Sequence, residues 1–221
     1  MLSKRLETVA SLITTDSIID VGCDHGYLDI YLTKKGIKCL ATDISNNALN
    51  AALTNFKKYN LDIPTICTDG LNNIDIKDTD TIVIAGMGTD TIIKILNKNI
   101  TNDLVILTHN HLEKLRRYVV SIGYYIDQEV FVIDNNKPYI VIKFKYGKCN
   151  YNTYDYIIGP TIKDIDYFNY LLNKYTKILN GIPSKYKNRI DYYNSLIKEI
   201  EMCKESVKWY TFFKIIIAII K

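Results

Sequence analysis

Ile19-Asp20-Val21-Gly22-Cys23-Asp24-His25-Gly26-Tyr27 is the most informative stretch of this 221-residue chain. An apolar run leads into two glycines, and a helix-compatible sequence follows. This order predicts a strand, a tight turn and the start of a helix. Glycines let a backbone approach a ligand closely, and the free amides at a helix start favour polar groups. A connection that binds nothing would have the same pattern, and the glycines alone do not decide between the two.

The turn departs from the G-x-G-x-x-G fingerprint that places a dinucleotide pyrophosphate on a helix start. Asp24 stands where the middle glycine of that fingerprint belongs. A carboxylate there repels a pyrophosphate and attracts a ligand that carries an ammonium group. S-adenosylmethionine (SAM) is such a ligand, so the turn favours SAM over a dinucleotide.

Apolar runs alternate with amphipathic stretches over the first part of the chain. The pattern predicts strands at 17–21, 38–42, 64–67, 80–85 and 103–108, and helices at 3–13, 26–35, 45–59, 89–97 and 111–122. Continuous apolar strands such as 81–85 are typical of parallel sheets covered on both faces. The sequence therefore predicts an α/β fold with an open, doubly wound sheet.

Two more strands, 130–133 and 139–144, flank a short turn at 134–138. The turn cannot contain a crossover helix, so this pair must be antiparallel. A parallel sheet closed by an antiparallel hairpin is typical of the Rossmann-like class of SAM-dependent methyltransferases. We therefore predict a methyltransferase domain at 1–147.

The composition changes after this hairpin. Residues 148–162 predict a linker, and apolar residues at spacings of three and four predict an α-helical hairpin with coiled-coil packing at 163–221. The helical hairpin either has a purely structural role or presents a surface that lies along RNA. The apolar tail at 212–220 is too short to span a bilayer, so we predict no membrane partner and expect the tail to pack against the body or a partner.

Charge and cysteine content narrow the possible partners and compartments. Residues 1–150 carry 17 Lys and Arg against 17 Asp and Glu, whereas residues 151–221 carry 11 against 7. The basic C-terminal part is compatible with a polyanionic partner, and solvated lysines would give the same excess. Five scattered cysteines and the lack of a secretory leader predict reduced thiols in a cytoplasmic protein. A monomer is compatible with the sequence.

Polar residues follow the predicted parallel strands at their carboxyl ends, where doubly wound sheets bind ligands. Asp43 is placed to accept both ribose hydroxyls, Asp69 to accept the adenine amino group, and the bare backbone at Gly86 to let the methionine part of SAM approach. The predicted cofactor-binding residues are Asp20, Gly22, Asp24, His25, Asp43, Asp69, Gly70, Gly86 and Met87.

The methyl acceptor is expected at the end of the fifth strand, at Thr108-His109-Asn110. Methyl transfer from a sulfonium is an in-line displacement, so catalysis consists largely of positioning. Asn110 is the candidate to hydrogen-bond the acceptor through its amide. His109 and His111 are weaker candidates, and because two histidines alone do not form a metal site, we predict no metal.

Residues 2–10, 20–28, 69–71 and 84–88, with the strand end at Asn110, together resemble the bacterial tRNA adenine-N1 methyltransferases of the TrmK type, which act on adenine 22 of tRNA. The resemblance covers nearly the whole chain. It implies a Rossmann-like domain with a C-terminal helical coiled coil, SAM as cofactor and tRNA as partner. The chain departs from the family's usual Gly-Met-Gly-Gly, Gln-Pro-Asn and Tyr-Leu-Pro at Thr89, at Thr108-His109 and at Asp29, respectively.

Methylation of adenine N1 requires an unpaired base, because N1 lies on the pairing edge. Tyr27 is predicted to stack on that base, and Asp24 or Asp29 to stabilise the positive charge that methylation creates. The predicted phosphate contacts are Lys4, Arg5, Arg116, Arg117 and the lysines of the helical hairpin, although a single residue of this kind is more often just a surface charge.

Two other functions are compatible with the sequence. The departure at Thr108-His109 is compatible with a methyltransferase that acts on a small molecule or another RNA. Thr89 and the apolar tail are compatible with a non-catalytic tRNA-binding protein that has lost its donor site.

Overall fold

The computed structural model describes the backbone of residues 2–77, 79–96 and 100–220, and the side chains of these residues except 211 and 213–220. The chain divides into two compact units, Met1–Asn150 and Tyr151–Lys221. The functional boundaries at 147 and 162 remain predictions.

The first unit alternates strands and helices and ends in a strand pair. Its elements are α1 (Lys4–Leu12), β1 (Ser17–Val21), α2 (Tyr27–Thr33), β2 (Lys38–Asp43), α3 (Asn46–Lys58), β3 (Thr65–Cys67), β4 (Thr81–Ala85), α4 (Thr89–Ile95), β5 (Asp103–Thr108), α5 (Leu112–Ser121), β6 (Tyr124–Asp134) and β7 (Lys137–Tyr146). Within the described residues, the strands form one seven-stranded sheet in the order β3-β2-β1-β4-β5-β7-β6. The predicted fold class is confirmed.

The first five strands are parallel, and β7 runs antiparallel to both β5 and β6. The turn of this hairpin is tighter than the predicted 134–138. Asn135 and Asn136 both have positive φ angles, 48° and 59°, as the central residues of a type I′ turn require. Pro138 therefore lies near the start of β7, where it pairs with Ile133 instead of lying in the turn.

The centre of the sheet is buried on both faces, as its apolar runs predict. Ile82, Val83 and Ile84 of β4 have no exposed surface, and neither does the run 104–106 of β5. α1 packs its apolar face against β6 and β7. This rigid sheet fixes the positions of the loops at the carboxyl ends of the parallel strands.

The second unit consists of α6 (Thr153–Ile158), α7 (Ile165–Asn180) and α8 (Lys187–Ile220). α7 packs against α8 to form the predicted helical hairpin. α6 lies inside the stretch predicted as a linker and begins with a capping box between Asn152 and Asp155. The backbone of α8 continues through the apolar tail, but most of the tail's side chains lie outside the described residues, and so does the prediction that they are buried.

Candidate cofactor and acceptor site

The strand order brings the predicted site together at one edge of the sheet. From β1 the chain winds outward through β2 to β3, then returns to β4 on the other side of β1 and continues to β5. This reversal between β1 and β4 is the switch point at which doubly wound sheets open a ligand crevice. The loops that follow β1, β2, β4 and β5 surround this point.

The turn after β1 is tight and is anchored to β2. The N–H groups of Gly22 and Cys23 both donate to the carbonyl oxygen of Thr42, at 2.8 and 2.9 Å. Gly22 has a φ of +84°, and a Cβ at this position would lie 2.3 Å from Cε of Met87. The turn therefore requires glycine, and it places Met87 of the β4 loop directly against the backbone of the β1 loop.

Asp43, the last residue of β2, is held by two backbone donors. Its Oδ2 accepts the N–H of Asp24 at 3.2 Å, and its Oδ1 accepts the N–H of Ser45 at 2.8 Å. Asp43 thus links the glycine turn to the start of α3. Each carboxylate oxygen keeps a lone pair for a further donor, such as a ribose hydroxyl.

The outer part of the glycine turn presents polar and aromatic side chains to solvent. The side chains of Asp24 and His25 are 75% and 53% exposed, with His25 Nε2 3.8 Å from Asp24 Oδ1. Tyr27, the first residue of α2, is 51% exposed, and its ring centroid lies 5.9 Å from that of His25. These three side chains are accessible to an incoming base.

The loops after β3 and β4 differ in how tightly they pack. Gly70 has a φ of +61°, and a Cβ there would lie 2.9 Å from Cγ1 of Ile95, so the loop packs closely on α4 beside the exposed Asp69. Gly86 has a φ of +103°, and a Cβ there would meet nothing within 4 Å. The β4 loop therefore leaves open space at Gly86, as close approach by a ligand requires.

Asn110 follows β5 and contacts the β4 loop. Its Oδ1 accepts the backbone N–H of Thr89 at 3.1 Å, and the hydroxyl of Thr89 donates to the carbonyl oxygen of Asn110 at 2.6 Å. The hydroxyl of Thr108 donates to the carbonyl oxygen of Met87 at 3.1 Å. The predicted acceptor residue and the predicted donor loop are thus joined by hydrogen bonds. Sequence reasoning did not anticipate the part that the two threonines play in this link.

Asp20 and Asp29 form a buried carboxyl pair beneath the glycine turn. Asp20 is 3% exposed and Asp29 is fully buried. Burial raises the pKa of Asp20 to about 7, with a further contribution from the charge of Asp43. Burial, and then the charge of Asp20, raise the pKa of Asp29 well above its usual range. The prediction that Asp29 stabilises the methylated base is wrong, because its carboxyl group has no exposed surface with which to meet a base.

The four predicted phosphate contacts in the first unit differ in how accessible they are. Lys4 is exposed on α1, whereas Arg5 lies over Tyr139 and 3.9 Å from Asp134. Arg117 is exposed and contacts Glu113 at 2.9 Å.

Arg116 is fully buried, and its Nε donates to Glu129 of β6 at 2.7 Å. The prediction that Arg116 contacts RNA is therefore wrong. Leu112, Leu115 and Val119 place position 116 on the apolar face of α5, so helical periodicity could have excluded it.

Among the described residues, no three His, Cys, Asp or Glu side chains are arranged to hold a metal ion. In the same part of the chain, no helix has the length and apolar character that a bilayer span needs.

Comparisons with known proteins agree with this geometry. The profile of a family described as "Methyltransferase domain" matches residues 2–142. The solved structure of M. capricolum TrmK in complex with S-adenosyl-homocysteine, its natural cofactor product, is 30% identical, with a TM-score of 0.74 over 94% of this chain and 98% of that one. This chain belongs to the TrmK family.

Two further relatives support membership of the TrmK family. The tRNA (adenine(22)-N(1))-methyltransferase of Bacillus subtilis is 33% identical over 156 residues, which cover 66% of each protein. The solved structure of Streptococcus pneumoniae Sp1610 has a TM-score of 0.82 at 26% identity and covers 92% of this chain and 100% of that one. The resemblance seen in the sequence is confirmed, and the residues that match the family profile contain the whole candidate site.

Proposed function

We propose that this chain transfers the methyl group of SAM to N1 of adenine 22 in tRNA. One observation carries the proposal: in a member of the TrmK family, the glycine turn, Asp43 and Asn110 all lie at the switch point of a methyltransferase sheet. The donor and acceptor sides of the site are therefore adjacent.

The residues of the donor side fit SAM. The fixed Asp43 carboxylate binds the ribose hydroxyls, and the exposed Asp69 binds the adenine amino group. The exposed Asp24 carboxylate supplies the negative charge that suits an ammonium group, whereas Asp20 lies buried beneath the turn. The open space at Gly86 accommodates the methionine part beside Met87, and the backbone at Gly22 approaches the ligand closely.

When bound, SAM supplies an electrophilic methyl group on a sulfonium. The lone pair of adenine N1 forms the new N–C bond, and the electrons of the broken S–C bond stay on sulfur, which leaves neutral S-adenosylhomocysteine and a cationic base. No proton is transferred in this step, so the chain needs no general base. Its residues hold the base in line, and the exposed Asp24 carboxylate stabilises the developing positive charge.

The tRNA contacts begin beside the site. Tyr27 presents an exposed ring on which an unpaired adenine stacks. Lys4, Arg5 and Arg117 supply positive charge for phosphates, and the excess of Lys and Arg over Asp and Glu at 151–221 adds to it. A tRNA substrate and scattered thiols support a cytoplasmic location for the protein.

The test is incorporation of labelled methyl from SAM into purified unmodified tRNA, followed by identification of the labelled nucleoside. We expect label in 1-methyladenosine and salt-sensitive binding of tRNA. Label in a small molecule instead of tRNA would overturn the proposal in favour of a small-molecule methyltransferase. Binding of tRNA without any heat of SAM binding in calorimetry would overturn it in favour of a non-catalytic tRNA-binding protein.

A further inference from the structure

Asn110 is enclosed by two buried threonines. Thr89 contacts it twice, through its backbone N–H to Oδ1 at 3.1 Å and through its hydroxyl to the carbonyl oxygen of Asn110 at 2.6 Å. The single proton of the Thr108 hydroxyl is shared between the carbonyl oxygen of Met87 at 3.1 Å and the same Oδ1 at 3.4 Å. Thr89 has no exposed surface and Thr108 is 1% exposed, so water does not compete for these contacts.

These contacts determine the orientation of the Asn110 amide. A backbone N–H is only a donor, so the atom that it meets must be the amide oxygen, and Nδ2 must lie on the other side. A Cβ built on Gly88 would lie 3.9 Å from Nδ2, so the glycine leaves room next to this group. The oxygen points toward the buried threonines, and the N–H donors remain for a ligand.

The two threonines are also places where this chain departs from its family. Thr89 replaces the last glycine of Gly-Met-Gly-Gly, and Thr108 replaces the glutamine of Gln-Pro-Asn. Their Oγ1 atoms lie 3.4 Å apart, although the residues belong to different elements. The two residues at which the chain departs from the family therefore contact each other and Asn110, as residues with a shared structural role would.

Adenine restricts what an N–H donor can contact. Its ring nitrogens N1, N3 and N7 accept hydrogen bonds, whereas its exocyclic amino group donates them. The lone pair of N1 must stay free to form the bond to the methyl group. A side chain that offers only N–H can therefore position adenine through N3 or N7.

We propose that Thr89 and Thr108 are positioning residues that lock Asn110 with its amide N–H toward the methyl acceptor, so that Asn110 donates to N3 or N7 of the purine. The inference rests on the proposed function, because that function makes the acceptor an adenine. It adds the orientation of Asn110, the atoms of the base that it contacts and the residues that maintain the geometry.

The first experiment tests the lock with Thr89→Val, which removes the hydroxyl that holds the carbonyl oxygen of Asn110 and keeps the backbone N–H that meets Oδ1. The variant therefore tests whether the hydroxyl keeps Asn110 in position. We expect kcat with tRNA to fall about tenfold while the Kd of SAM stays unchanged, and Thr89→Ser to recover most of the loss. The control is Thr91→Val at an exposed position of α4. Thr108→Val provides a second variant if Thr89→Val does not fold. An unchanged kcat in a folded variant of either threonine would overturn the lock.

The second experiment uses tRNA with 3-deazaadenine or 7-deazaadenine at position 22, which removes one ring acceptor at a time. We expect wild-type protein to lose about tenfold in kcat/KM on one of the two substrates. Asn110→Ala, which has already lost the donor, should show no further loss on that substrate. This comparison cancels any change in the basicity of N1.

The outcomes separate the two claims. If normal tRNA is methylated at N1, two results would overturn the inference alone. One is that both deaza substrates are used as well as adenine. The other is that Asn110→Ala shows the same loss as the wild-type protein. A wild-type protein that does not methylate normal tRNA would overturn the proposed function and the inference with it.

Discussion

The Cε methyl of Met87 occupies the place that a side chain at Gly22 would need, 2.3 Å from the Cβ that such a side chain would carry. The loops after β1 and β4, which are 65 residues apart in sequence, thereby form one continuous wall of the site. The φ of +84° makes Gly22 a sensitive position in the fold, whereas Met87 Cε lies at the end of a flexible side chain that can shift.

Gly22→Ala tests this contact. The variant must hold alanine at a φ of +84° and displace Met87, so we expect a loss of about 1–2 kcal/mol in unfolding free energy together with weaker SAM binding. Gly36→Ala is the matched control, because Gly36 has a φ of +87° but open space around it. Urea unfolding and SAM calorimetry measure both effects. Equal SAM affinity in the two variants would show that the wall plays no part in binding.

The buried Asp20–Asp29 pair predicts a dependence of stability on pH. The Asp29 carboxyl lies beside Asp20 and its own backbone N–H, and the two carboxyls bond to each other only when one of them is protonated. The pKa of Asp20 rises from its ordinary value of 3.8 to about 7 in the folded state. Between these two values the folded chain binds more protons than the unfolded chain. The stabilising effect of the pair is therefore complete at low pH and is lost as the pH rises toward 7.

Other groups around the pair do not reverse this direction. Cys23, Cys39 and Asp43 face it from the β1 loop and from β2, and burial raises the pKa of both thiols, to about 12 for Cys39. The buried side chains of α1 and α3 are apolar. The pair therefore has no cation among these neighbours to offset a second negative charge.

Asp29→Asn replaces the shared proton by an amide donor. We expect this variant to gain about 1–3 kcal/mol more stability, relative to wild type, at about pH 8 than at about pH 5. Asp62→Asn, at an exposed carboxylate, is the control and should show no such trend. The measurement is urea unfolding at both pH values. A constant difference between Asp29→Asn and wild type would contradict the shared proton.

Arg116 and Arg117 are neighbours with opposite expected effects. Arg116→Ala removes the buried cation that donates to the buried Glu129 at 2.7 Å, so we expect unfolding free energy to fall by about 3–5 kcal/mol. Arg117→Ala breaks an exposed pair and should cost about 0.2–1 kcal/mol. The salt dependence of tRNA binding should change only for Arg117→Ala. Chemical unfolding and filter binding distinguish the two, and the reverse result would restore Arg116 as an RNA contact.

Tyr27 is predicted to stack on the acceptor base. Tyr27→Ala should raise the KM for tRNA about tenfold, because a stacked base contributes about 1–3 kcal/mol, whereas Tyr27→Phe keeps the ring and the KM. Tyr59→Ala removes a ring of similar exposure, 48%, outside the site. Steady-state kinetics at saturating SAM provide the measurement. Equal effects of the two alanine variants would exclude stacking at Tyr27.

The sheet could be predicted from the sequence because burial imposes a recognisable pattern of apolar residues on its strands. The run Thr81–Ala85 is apolar throughout and lies in the centre of the sheet, and Asp43 lies at a strand end beside the glycine turn. These predictions needed only local pattern and the rule that parallel strands end at one edge.

Features that depend on contacts between distant elements were missed. Asp29 has the appearance of a surface carboxylate until the fold buries it beside Asp20 of β1. The contact of Thr89 with Thr108 exists only once β4 and β5 are paired. The charge of Arg116 predicts an exposed residue, but its position on the apolar face of α5 buries it. Sequence patterns identify the loops of the site, but the contacts between the loops require tertiary structure.

The most direct measurement is methyl transfer from labelled SAM to one tRNA transcript with adenine at position 22 and to a matched transcript with guanine there. We expect about one methyl group per molecule of the first, located at N1 of adenine 22 by the block that it imposes on reverse transcription, and none on the second. Equal labelling of both transcripts, or a methyl group at another position, would contradict the assignment of this site to adenine 22.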